Sequence, residues 1–329
     1  MKLKKHIFLL VFFISTIKFG YCQVVDSLNY DLQFFKVKNN EIIGFKKPTF
    51  GQMFKYIPSD LCDLGKFIVQ KQNLKWNFLA LGATIGLLPI DQKILDNSNE
   101  LGAKIGGWDK DSRYKRVFGL EVLPTSISSG VYYLGNGNTT ILLSGMFYAI
   151  GKIRGNDYRA LNTSNELVEV LLSVGVTTQT IKRITGRQSP IKAIDEVNSG
   201  GNWNPFPSFS AFANNTPNYD AMPSGHIATY MATLTVIATN YSEIKWIKPV
   251  GYSLGAVIAF NMLSTRVHWA SDYPIAVLIG YVMGKNIANR RIIRQPKVSD
   301  LNVKKIKFKT DFTFNILNNL SLIGAIITF

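Results

Sequence analysis

Residues 222–240 read MPSGHIATYMATLTVIATN, and residues 266–274 read RVHWASDYP. In the first stretch a proline and a serine stand at the head of a long apolar run. Proline suits a first helical turn and serine a cap, so the run from Ile227 to Ala238 predicts a helix that starts here. The first backbone N–H groups of a helix have no partner within it, and together with the helix dipole they attract anions. Gly225 lets a ligand approach the backbone closely. His226 would then stand beside a bound anion, placed to give a proton to a leaving oxygen. A plain helix start with an incidental histidine reads the same way.

In the second stretch His268 and Asp272 are four residues apart, across a turn that enters another helix. Pro274 fits the first turn of that helix. A carboxylate at this spacing can accept the proton of one imidazole nitrogen and leave the other free to attack phosphorus. A structural histidine–aspartate hydrogen bond has the same spacing. The chain holds three histidines. His6 lies in the N-terminal segment read below as removable, so His226 and His268 are the two a mature chain would keep. Two histidines, each beside phosphate-friendly groups, point to catalysis.

A third stretch, residues 182–190, reads KRITGRQSP. Basic side chains at a helix end and the following turn can hold phosphoryl oxygens, although such a cluster alone also fits a solvated face. In order, Lys182 with Pro190, then Pro223–His226, then His268 with Asp272 resemble the motifs of the type 2 phosphatidic acid phosphatases, which share a fold with vanadium haloperoxidases. The resemblance covers roughly residues 140–290. It implies that His268 is the nucleophile, Asp272 its orienting partner and His226 the general acid, later the base that activates water. It also implies that Lys182, Ser224 and the Gly225 backbone hold the phosphoryl oxygens, with no metal and no cofactor. Two positions depart from the family pattern: Ser189 stands where an arginine is usual, and Asn261-Met262 stand where Ser-Arg is usual. Arg187 and Arg266 are the arginines expected to bind phosphate in their place.

The rest of the chain frames these motifs. Of 329 residues 47% are hydrophobic, enough for a large core and too apolar for disorder. Lys2, Lys4 and Lys5 precede an apolar run from Ile7 to Ile17, the pattern of an export signal over residues 1–22. A lipoprotein with its lipid on Cys22 is the alternative. The net charge is +16, and the first 22 residues hold four lysines and no acid, so a chain cut after Cys22 would carry +12. Such a surface favours phosphorylated substrates, acidic lipid head groups or nucleic acid; the resemblance favours the first two, with membrane association and no nucleic acid. Cys62 would be left without a cysteine partner and reads as a small buried residue.

Residues 23–75 show little period and predict irregular structure and short helices. Trp76 to Ile90 is almost wholly apolar, as in a buried or membrane-facing helix. Further apolar stretches at about 118–133, 140–152, 166–185, 226–240, 248–264 and 274–290 predict helices. From Lys304 apolar and polar residues alternate, Asn318-Asn319 marks a turn, and Leu320 to Phe329 reads as a second strand. The expectation is a mostly α-helical bundle of the phosphatidic acid phosphatase type with a short C-terminal β-hairpin. Its parts are a signal (1–22), an N-terminal helical or irregular region (23–139), the phosphatase-like domain (140–290) and a tail (291–329). The expected activity is hydrolysis of a phosphomonoester or diphosphate by an exported, periplasmic or envelope-associated enzyme. The alternatives are a catalytically silent phosphate- or lipid-binding relative and, more remotely, a vanadate-dependent haloperoxidase.

Overall fold

The computed structural model describes residues 32–37, 41–108, 114–117, 120–295, 309–317 and 320–328. The expected signal, with Cys22, lies outside them. Among the described residues the strands are β1 (Leu32–Lys36), β2 (Ile42–Lys46), β3 (Tyr114–Val117), β4 (Leu120–Pro124), β5 (Ile293–Gln295), β6 (Lys309–Leu317) and β7 (Leu320–Thr328). The α-helices are α1 (Gln52–Lys55), α2 (Ile57–Val69), α3 (Leu74–Leu87), α4 (Asp91–Gly106), α5 (Ile127–Gly135), α6 (Gly137–Ile153), α7 (Tyr158–Thr185), α8 (Pro190–Asp195), α9 (Phe209–Asn214), α10 (Gly225–Asn240), α11 (Ile247–Ser264) and α12 (Tyr273–Arg291). The protein is mostly α, as the apolar runs predict.

The chain divides into two units. In the smaller, β1, β2 and β5 form an antiparallel sheet in that order, with Leu32 paired to Lys46 and Ile43 to Arg294. Phe35 and Phe45 meet edge to face within it, their ring centroids 5.9 Å apart. These strands replace the irregular structure expected before residue 50; LQFFK and IIGFK are too short to show a period, and sheet pairing decides their conformation. In the tail β6 and β7 pair antiparallel, closing at Leu317 opposite Leu320. The turn residues 318–319 lie outside the described set.

The larger unit, Lys47–Tyr241 with Lys245–Ile292, is the helical body. Caps set its main boundaries. Asp157 accepts from Ala160 N at the start of α7, and Gly186 closes that helix in the left-handed conformation. At Gly186 φ is +56°, and a Cβ there would fall 1.8 Å from the Asn204 carbonyl oxygen, so only glycine fits. The apolar stretch read as one helix from about 118 instead begins as β4, and α5 starts only at Ile127. Pro124 cannot continue an earlier helix, and a reciprocal cap sets the new start: Ser126 Oγ accepts from Ser129 N at 3.0 Å while Ser129 Oγ accepts from Ser126 N at 2.9 Å. Cys62, expected in the core, is exposed. Asp60 and Leu64 form the buried side of α2, and residue 62 falls between them on the opposite side of the turn.

The core lies between α7, α10 and α12, where Leu167, Val170, Val174, Ala228, Ala232, Ala276 and Ile287 are buried. Gly280 and Gly284 let α12 close on α10: a Cβ at Gly280 would lie 2.3 Å from the Ala228 carbonyl oxygen, and one at Gly284 2.5 Å from that of Ala232. This crossing sets the spacing of two helices that carry site residues at or just before their starts. Gly280→Leu is therefore expected to destabilise the fold by about 1–3 kcal/mol or more and to reduce activity of the remaining folded protein. Thermal melting of this variant beside Gly280→Ala checks it; a melt equal to wild type would show that the crossing tolerates separation.

At the other end of the bundle, carboxylates and arginines from α2, α7 and α12 share a buried network. Arg290 Nη1 donates to Asp60 at 2.5 Å and to Glu169 at 3.0 Å, Arg291 donates to Glu169, and Asn240 donates to Glu166. Burial pushes the Glu166 carboxyl up from 4.5 to about 8, against the pull of Arg291 and Asn240. Folded protein thus keeps a proton that the unfolded chain has already released between those values, so stability is lost as pH rises through that window. Glu166→Gln is expected to flatten the fall, raising the melting temperature at about pH 8 more than at about pH 5. Parallel melts at both pH values test this; equal falls in both proteins would clear Glu166 of the effect.

The helical run Lys71–Gly106 is long and apolar enough, by length and composition, to cross a membrane, and 22% of its most apolar window is buried. Trp76, Phe78, Leu79 and Ile85 are exposed along it.

Candidate active site

Backbone bonds stitch the three motif segments together at one end of the helical body. Ala221 N donates to Arg187 O at 3.0 Å, Ser224 N to Asp272 O at 3.2 Å, and Ile191 N to Arg266 O at 3.1 Å. Thr185 Oγ1 donates to Met222 O at 2.7 Å, and the Trp269 indole donates to Gln188 O at 2.8 Å. The Met222–Pro223 peptide is cis.

These links bring the two imidazoles into contact. His226 Nδ1 and His268 Nε2 are 3.3 Å apart, with the rings at 71° to one another. Behind His268, its Nδ1 lies 3.4 Å from Asp272 Oδ2. That approach is not aligned as a hydrogen bond, and Nδ1 has no other acceptor among the described residues. Asp272 is itself held: Oδ2 accepts from Trp269 N at 2.8 Å and Oδ1 from Arg187 Nη1 at 2.7 Å. Tyr132, from α5, also packs against His226, tilted at 58° with centroids 4.9 Å apart.

Lys182, in the last turn of α7, is almost wholly buried and faces the start of α10: its Nζ lies 3.9 Å from where a Gly225 Cβ would sit. The half-exposed carboxylate of Asp220 is 3.7 Å from that ammonium. Ser224 caps α10, its Oγ accepting from Ile227 N at 3.4 Å, and Ala228 N donates to Ser224 O. The N–H groups of Gly225 and His226 have no acceptor in their own helix. Burial, then the neighbouring His268 ring and the Lys182 ammonium, holds the His226 imidazole well below the ordinary histidine range.

The two arginines expected at the phosphate are placed differently. Arg187 is buried, stacked between Trp203 and Trp269 at 5.0 and 5.3 Å. Nη1 donates to Ser271 Oγ at 2.6 Å as well as to Asp272, and Nη2 donates to Asp91 at 2.7 Å and to Gly200 O at 3.2 Å. Its fork is filled from behind Asp272, so it supports the carboxylate rather than reaching an anion at α10. Arg266 has φ of +61° and donates from Nη2 to Asn99 of α4 at 3.0 Å. The departing positions hold no replacement charge: Ser189 and Met262 are both buried, and Asn261 donates to Ser128 at 2.7 Å.

Asp91, Ser271, Tyr132 and Asp220 complete the cluster and were not read as site residues from sequence. Asp91 looks like an ordinary first-turn acid after Pro89, and nothing in its spacing points to a partner nearly a hundred residues away.

Residues 165–291 match the model of the PAP2 superfamily, a helical family. That match points to phosphatase-type chemistry on phosphorylated substrates. No curated protein and no solved structure matches the chain. His226, His268, Asp272, Lys182 and Arg187 fall within the matched segment; Asp91 and Tyr132 fall outside it.

Proposed function

We propose that this protein is a phosphatase that hydrolyses a phosphomonoester or diphosphate, lipid-linked ones included, through a phosphohistidine at His268. The observation that carries this reading is the 3.3 Å contact of the two imidazoles, with a carboxylate behind one and a buried lysine beside the other. With Nδ1 turned to Asp272, Nε2 of His268 keeps its lone pair. That pair attacks phosphorus, the bond to the ester oxygen breaks, and His226 gives the departing oxygen a proton. Water then attacks phosphorus, His226 takes its proton, and the N–P bond breaks to release phosphate. A phosphoryl group on Nε2 cannot share the gap now closed between the rings, so His226 swings aside when substrate binds. Lys182, the Ser224 hydroxyl and the free N–H groups of Gly225 and His226 take the phosphoryl oxygens, and aligned donors of this kind stabilise charge developing in the transition state.

An export signal over residues 1–22 and the exposed apolar face of Lys71–Gly106 would place the enzyme at a cell envelope, in reach of lipid phosphates. The test is to incubate purified protein with radiolabelled phosphate esters, soluble and lipid-linked, and quench. An acid-labile, base-stable phosphoenzyme with multiple turnover is expected; release of phosphate with no such intermediate would overturn the histidine route.

A second reading, a silent relative that binds phosphate without turning it over, draws on the uncharged Ser189 and Met262 and on the filled fork of Arg187. Phosphate binding with equal background rates in wild type and His268→Ala would favour it.

A further inference from the structure

We infer that Asp91, at the start of α4 and outside the matched family segment, is a positioning residue for His268, acting through Arg187 and Asp272. The inference rests on the reaction proposed above and adds a residue to it.

Three ionisable side chains are sealed together behind His268: Asp91, Asp272 and Arg187, each at most 1% exposed. The planar guanidinium joins the two carboxylates, Nη2 to Asp91 and Nη1 to Asp272, each at 2.7 Å. Ser271 closes the ring, taking a bond from Arg187 at 2.6 Å and giving both its hydroxyl and its N–H to Asp91, the latter at 3.0 Å. Because Ser271 and Asp272 are adjacent in the short turn Ala270–Asp272, Asp91 fixes Asp272 twice, through the arginine and through the backbone. A guanidinium fork has one geometry, so holding its far end determines where Asp272 Oδ2 meets His268 Nδ1.

Charge gives the arrangement a second consequence. Arg187 and Asp272 alone would form a neutral pair. Asp91 leaves the sealed cluster with one net negative charge, facing a ring that becomes cationic when its Nε2 lone pair bonds to phosphorus. In a buried setting such a charge is poorly screened, so Asp91 stabilises the phosphorylated ring without touching substrate.

The experiment uses Asp91→Asn, which keeps the shape, in the full-length protein. The expected result is a fall in kcat of about 10–100-fold, the usual cost of losing a group that orients a reacting one, with KM within about twofold of wild type. In the background of Arg187→Met the same change should cost less than it does alone, because one of its two routes to Asp272 is already cut. An unchanged kcat in Asp91→Asn, a defect confined to KM, or full additivity in the double variant would overturn the inference. A readout independent of turnover is the nitrogen NMR spectrum of the His268 ring. In wild type it should report Nδ1–H, and in Asp91→Asn a mixture of tautomers; identical spectra in protein with a wild-type melting temperature would overturn the inference too. If wild type turned over no phosphate ester, the proposed reaction would fail, and the ring spectrum would still decide the role of Asp91.

Discussion

Replacing His268 by alanine is expected to lower kcat at least about 10,000-fold, the scale on which enzymes lose activity with their nucleophile, and to abolish the phosphoenzyme. Nε2 of His268 is backed, through Nδ1, by a carboxylate that favours the tautomer with a free lone pair, whereas His226 has Lys182 and a helix start beside it and, among the described residues, no carboxylate partner. His226→Ala should behave differently. With an aryl phosphate, whose leaving group departs unaided, it should still form phosphoenzyme but hydrolyse it slowly. With an alkyl phosphate both steps should fail. The position of His226 also sets a pH dependence. Burial, then the His268 ring and the Lys182 ammonium, disfavours the protonated form of His226, so proton donation to an alkoxide improves as pH falls, and kcat/KM for alkyl phosphates should rise toward acid pH more than that for aryl phosphates. A labelled phosphoenzyme in His268→Ala, or identical pH profiles for the two substrate types, would assign these roles wrongly.

The residues proposed to react are short-range features of the chain, and those proposed to support them are not. Pro223, Ser224 and Gly225 announce a helix start by their own conformational preferences, and His268 and Asp272 meet across a single turn, so each half of the site was legible from local spacing. Direction was not. Arg187 lies two residues from the position where an arginine was expected and has the right charge, yet its side chain runs away from the start of α10. What draws it there is Asp91 with its neighbours Trp203 and Trp269, partners brought in by tertiary packing. The same limit applies to β1 and β2, whose five-residue segments become strands only through pairing, and to Cys62, whose apolar character says less than its place on the turn between Asp60 and Leu64. The boundary near residue 120 failed for a local reason: the proline and serine before α5 carry the stop and the cap, and hydropathy averaged over the stretch hides both.

Lys182→Met is expected to cost about 1,000-fold in kcat/KM, near the upper end of what removing one charge-stabilising donor does. The size follows from what is missing around it. Ser189 and Met262 stand where the family pattern has arginines, and the charge of Arg187 is consumed by two carboxylates. Lys182 is then the cation that faces the N–H groups of Gly225 and His226, and Asp220, 3.7 Å away, must give up its hold on the ammonium when phosphate arrives. The same substitution has a readout apart from catalysis. The ammonium is one of the causes that depress the His226 imidazole, after burial and His268. Removing it should therefore move the titration of His226 upward in proton NMR, part of the way back to the ordinary range. Lys182→Arg should keep more of the rate than the methionine variant, because charge is retained even where shape is not. A methionine variant within about tenfold of wild type, with the His226 titration unmoved, would mean that another cation neutralises the phosphoryl group, and Arg266, held from one side by Asn99, would be the residue to examine next.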